Sequence, residues 1–188
     1  MDVAFDVYLT LATSEMTAQD FKPRFLAALP TMPVGLDLHW DEFVVFENAG
    51  LSDLAQEDAA FLVTQGLPRD ASPFLSFAAY TQHEIEQRVE TFGLPQNIFP
   101  IGHNGSGDIL AIDKDSGEVV YFNHDANNLR VFINSSLLQF AECMCVYQEH
   151  LISETMRQCL LAIAAVDSAA AQTSSMWHSE IIAEVANG

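Results

Sequence analysis

The chain has 188 residues and a formal charge of −19, from 26 acids against 7 bases; 49% of its residues are hydrophobic and 18% charged. A chain of this length buries roughly 70% of the surface it exposes when unfolded, so a single packed domain over residues 1–188 is expected, and the apolar content argues against disorder. The surplus of acid speaks against nucleic acid or an anionic membrane as partner; no run nears the ~18 apolar residues of a membrane span, and Asp2 and Asp6 stand where a secretion signal carries Lys or Arg.

In chain order, Asp2 to Ala12 alternates as a strand does. Thr17 followed by Asp20, with Pro23 in the first turn or so, opens a helix reaching about Leu29, and Pro30 and Pro33 close it. The aromatic and β-branched residues between Leu36 and Glu47 predict a strand or extended segment. Glu57 to Gln65 reads as a short helix stopped by Gly66, with Pro68 just beyond. Arg69 to Tyr80 reads as irregular or extended. His83 to Phe92 is expected to be a short helix or a partly mobile insert, ended by Gly93 and Pro95.

Ile98–Gly102, Asp108–Asp113, Glu118–Asn123 and Leu129–Ile133 then predict four successive strands in an antiparallel meander. Lys114-Asp115-Ser116-Gly117 suits a hairpin loop, and Asp125 to Asn128 the next turn. Both faces of the middle strands are apolar, so the centre of this sheet is expected to be covered on both sides. Ser136 with Gln139 predicts a capping box for a long helix whose apolar face runs Leu137, Phe140, Ala141, Met144, Tyr147 and Leu151. Met156, Leu160, Ile163 and Ala164 continue or restart it. A last helix from about Met176 to Val185 offers Trp177, Ile181 and Val185 for docking. The fold class that follows is α+β, a mostly antiparallel sheet around residues 98–133 with helices packed about it.

The motifs with chemical potential are better explained by structure. Gly102 to Gly107 is glycine-rich, but a strand follows it and no Lys-Ser/Thr pair is in place, so a tight turn is favoured over a phosphate-binding loop. Asp113 to Glu118 has alternating oxygen ligands but half the length of a calcium loop. Cys143 and Cys145 fall on different sides of one helix, which argues against a zinc site with His150 and Cys159; an odd set of three cysteines fits a reducing cytoplasm. His103, His124, Ser135 and Ser136 lack an assembled base, orienting acid and oxyanion hole. No catalytic residue, metal or cofactor is therefore expected. Trp40 and Trp177 are possible surface anchors, with burial the commoner fate of such residues.

One ordered set of short elements is distinctive: Phe61-Leu62, Gly66-Leu67-Pro68, Ile101-Gly102, Gly107-Asp108-Ile109, Ile112-Asp113, Ser116-Gly117-Glu118-Val119, Val131, Asn134-Ser135-Ser136-Leu137, Phe140, Asp167 and Trp177 to Ile181. In this order they resemble the SUKH superfamily of bacterial immunity proteins, in its branch with a Gly-Leu-Pro element, over about two-thirds of the chain. The first fifty or so residues, within an uncertain N-terminal part spanning 1–55, match nothing in that pattern, and whether they belong to the core or to a variable partner-facing surface stays open.

The resemblance implies a SUKH-like α+β fold, no enzymatic activity, and a cytoplasmic antidote that binds a cognate toxin, often a nuclease or nucleic-acid deaminase, and blocks its site. Between Phe25 and Pro68 there are seven acids and no Lys or Arg. If the toxin is basic, Asp37, Asp41, Glu42, Glu47, Asp53, Glu57 and Asp58 are the partner-binding candidates, chosen for charge density, and each has a solvated acidic face as its plain alternative. The rival functional class is a regulatory scaffold for an endogenous protein. A toxin gene immediately upstream separates the two.

Overall fold

A computed structural model describes residues 16–31, 35, 40–47 and 49–187. The strand expected over Asp2 to Ala12 lies outside the described residues. Helix α1 (Ala18–Ala27) opens with a complete capping box, in which the Thr17 backbone N–H donates to the Asp20 carboxylate at 3.0 Å. Pro23 is not in its first turn but in its interior, where it cannot donate to the carbonyl four residues back. Tertiary ties hold the helix despite that loss: Phe21 and Phe25 are buried, and the Arg24 guanidinium bridges to Glu149 at 2.7 and 2.9 Å and to Glu142 at 3.2 Å. This part of residues 1–55 therefore belongs to the core.

Of the strand or extended segment expected over Leu36 to Glu47, residues 36–39 lie outside the described residues; the described part holds β1 (Phe43–Val44), which pairs antiparallel with β2 (Leu67–Pro68). Pro68, having no N–H, limits how far that ladder runs. Between them lie a short 3₁₀ turn (Ala49–Asp53) and α2 (Gln56–Thr64). Gly66 ends α2 with φ +69°, and a methyl added there would strike the Val44 carbonyl, so the Gly-Leu-Pro element reads as a helix stop folded onto β1.

The segment Arg69 to Tyr80, expected to be irregular or extended, contains two ordered strands. β3 (Asp70–Ala71) and β4 (Leu75–Phe77) form a hairpin that turns through the cis Ser72–Pro73 bond and Phe74. Proline, a polar stretch and strands of two or three residues hide this hairpin from any periodicity argument. Helix α3 (Gln82–Phe92) follows, ended by Gly93 in the left-handed region. Next come β5 (Ile98–Asn104), β6 (Ile109–Asp113), β7 (Val119–Asn123) and β8 (Leu129–Asn134). All neighbours are antiparallel, in the order β3-β4-β5-β6-β7-β8, so the meander has six strands where the sequence predicts four.

Ile109, Leu110, Ala111 and Ile112 are all buried, the double-sided cover expected for the central strands. Pro100 sits where the β5–β6 register shifts, the place a sheet tolerates proline, and Gly102 just after it lets the chain lie against the Ser76 carbonyl of β4. Helix α4 (Leu137–Ile152) packs on α1, α2, α5 and β8. At its Ser136 cap the hydroxyl accepts from the Gln139 N–H at 3.3 Å and donates to the Gln139 carboxamide oxygen at 3.0 Å, while the carboxamide nitrogen donates to the Val166 carbonyl at 3.0 Å. The chain restarts as α5 (Met156–Val166) after Glu154 adopts φ +56°, and α6 (Met176–Asn187) closes the helical layer against α5 and β8.

Candidate functional site

The acids nominated by charge density lie along one segment, and the described ones differ in their surroundings. Asp37 lies outside the described residues. Asp41 and Glu47 are exposed. Glu42 is held by Arg69, whose Nε lies 2.6 Å from its carboxylate, and Asp53 is held by Lys114 at 3.1 Å beside the β6–β7 turn. Glu57 and Asp58 occupy the first turn of α2, where carboxylates complement the helix dipole. Burial, with Glu57 alongside, raises the Asp58 carboxyl above its ordinary value.

The histidine, serine and cysteine candidates are each absorbed by the fold. Asp108, 4% exposed, accepts from the His124 backbone N–H at 3.0 Å and from the Asn104 carboxamide at 2.9 Å, and its Oδ1 lies 2.6 Å from His124 Nδ1. Burial pushes this carboxyl up, but those hydrogen bonds outweigh it and leave it below the ordinary carboxylate value. The three cysteines are free and buried, with Cys143 against Asn134 and Cys145 against the Phe21 carbonyl, so they do face different sides of α4. Among the described residues no group of His, Cys, Asp and Glu is placed to hold a metal ion, and no helix is long and apolar enough to cross a membrane.

The Asn-Ser-Ser element is the centre of a buried polar network. Asn134 Nδ2 donates to Asp167 at 3.1 Å, the Ser135 N–H donates to the same carboxylate at 2.8 Å, and the Trp177 indole N–H donates to Asn134 Oδ1 at 2.7 Å. Trp177 is fully buried and is no surface anchor. Thus Gly66, Gly102, Asn134, Asp167 and Trp177 all serve the fold, and a binding function must be sought on other residues.

One surface feature escapes sequence reasoning. A groove of about 530 Å³ opens between the end of α1, the β3–β4 hairpin, α4 and α6. Its walls are apolar, with Phe25, Leu29, Trp40, Pro73, Phe74 and Leu151 among them. Phe74, at φ +55°, is 78% exposed, and Ile152 on the same rim is 46% exposed. Gln148 lines the groove at 5% exposure. Among the described residues of its lining, the charged ones are Asp70 and Glu184. The one available signal was Pro73-Phe74 inside a polar turn, an aromatic where turn chemistry asks for Asn or Gly.

These features define an α+β protein built on a six-stranded antiparallel meander with helices packed against it. Compared with protein-family models, the chain matches the SUKH-4 immunity protein family over residues 35–184, and it belongs to that family. Neither the comparison with curated proteins nor that with solved structures found a match.

Proposed function

We propose that this protein neutralises a cognate toxin by stoichiometric, non-catalytic binding that blocks the toxin's active site, and that it does so in the cytoplasm. The observation that carries the reading is the family match over residues 35–184. Charge supplies a mechanism for encounter. Four of the seven bases, Arg24, Arg69, Lys114 and Arg130, already pair with acids of the same chain, which leaves most of the 26 acids uncompensated. Nucleases and nucleic-acid deaminases need basic clefts for phosphates, and an acidic antidote is steered into such a cleft. Because Glu42 and Asp53 are engaged within the chain, Asp41, Glu47, Glu57 and Asp58 are the stronger contributors to steering, with Asp37 beside them in sequence.

The test starts from the gene immediately upstream, which on this reading is expected to encode the toxin domain. Purified toxin titrated with this protein is expected to lose activity with an endpoint at one equivalent, and the association rate is expected to fall roughly tenfold or more as salt rises through the range that screens surface charge. Inhibition complete at a small fraction of an equivalent would mean turnover and end the stoichiometric reading. A salt-insensitive association rate would remove steering and leave binding in place.

A further inference from the structure

The groove between the β3–β4 hairpin and α4 has four properties that point to one kind of occupant. Its volume, about 530 Å³, is of the size that encloses a large side chain and part of its backbone. Its rim leaves Phe74 and Ile152 in water at 78% and 46% exposure, and Phe74 keeps a left-handed backbone that favours glycine. Gln148 lines the groove, and its carboxamide offers a donor and an acceptor to an incoming group. Among the described residues of the lining the charged groups, Asp70 and Glu184, are both acids, and Ser76 Oγ donates to one Asp70 oxygen at 2.6 Å.

Resting on the immunity reading above, we propose that this groove seats an apolar or aromatic side chain of the toxin that is flanked in the toxin's chain by lysine or arginine. The anchor fills the apolar walls, the backbone beside it pairs with the Gln148 carboxamide, and the flanking cations meet Asp70 and Glu184. Charge selects this occupant over the alternatives. A second copy of this chain would bring another −19 against an acidic rim, and anionic lipid meets the same repulsion.

The proposal is tested by calorimetric titration of the cognate toxin domain, sought in the gene immediately upstream, into the wild-type protein and variants. Phe74→Ala, Ile152→Glu and the pair Asp70→Asn with Glu184→Gln are each expected to weaken binding about tenfold or more. Leu161→Glu, 78% exposed on α5 and not on the groove lining, is expected to bind within about twofold of wild type. Because Phe74 and Ile152 are exposed, their variants are expected to melt as wild type does; should Ile152→Glu unfold, Phe74→Ala decides. On complex formation the amides of Ser72, Phe74, Leu75 and Ser76 should gain protection from hydrogen exchange. Folded groove variants that bind normally, or no added protection at those amides, overturn the groove while wild-type inhibition keeps the immunity reading. A wild-type protein that does not bind the toxin at all ends both. Self-association abolished by Phe74→Ala, or binding to anionic vesicles through this face, overturns the proposal in favour of that occupant.

Discussion

The indole N–H of Trp177 on α6 donates to Asn134 Oδ1 at the end of β8 across 2.7 Å, with both residues fully buried. Asn134 in turn donates to Asp167 and to the Cys143 sulfur, so one side chain joins the sheet, α4, the end of α5 and α6. Each of these buried polar groups has its partner, and removing one leaves another unpaired in a dry interior.

Replacing Asn134 with alanine strips partners from both Trp177 and Asp167, and about 2–4 kcal/mol of stability should be lost. Trp177→Phe keeps most of the ring volume and removes the donor, so a smaller loss of about 1–3 kcal/mol is expected. Urea unfolding of the two variants checks the order. Equal stability of Asn134→Ala and wild type would show that the network adds nothing.

Asp108 supports stability at neutral pH. Its folded carboxyl sits below the ordinary value of 3.8, so its contribution is complete above that pH and is lost as pH falls through the lower folded value. Asp108→Asn should therefore destabilise at pH 7 by about 1–2 kcal/mol and show a shallower loss of stability below pH 4 than wild type. Thermal melts across the acid range give both readings, and an unchanged acid slope would contradict the assignment.

Gly102 has no room for a side chain. A methyl there would drive into the Ser76 carbonyl and part β4 from β5, so Gly102→Ala should cost about 2 kcal/mol or more and loosen the β3–β4 hairpin. Proteolysis at residues 72–76 is expected to accelerate in the same variant. A melt indistinguishable from wild type would mean that the strands move apart freely.

The three thiols should be silent in the folded protein. Burial pushes Cys145 and Cys159 from the ordinary 9.0 up to about 12, and Cys143 also rises. A disulfide reagent at pH 8 is expected to label none of them until denaturant is added, when all three react. Since the folded values are raised, the neutral thiols support the fold below pH 9 and that support is lost between pH 9 and about 12. Fast labelling of the native protein would disprove this burial.

Much of the fold was legible because its signals are local. The Thr17 and Asp20 cap, Gly66 and Gly93 as helix stops, and the apolar runs of β5 to β8 act within a few residues of themselves, so chain order alone reveals them. Pro23 misleads for the complementary reason: by itself it should begin a helix, and only Phe21, Phe25 and Arg24 packed on α4 keep a helix around it. Of the acids proposed to meet a partner, sequence gives their density, but not that Arg69 and Lys114 fold back to claim Glu42 and Asp53.

By itself the sequence determined the α+β class, the antiparallel meander, the acid surplus and the family, since these depend on composition, short-range geometry and the order of motifs. Only the tertiary structure decided that Asn134, Asp167 and Trp177 are buried supports, that β3 and β4 extend the sheet, and that Phe74, Gln148, Ile152 and Glu184 meet around one groove. Those residues stand far apart along the chain, and a surface that joins them exists only once α1, α4, α6 and the hairpin have packed.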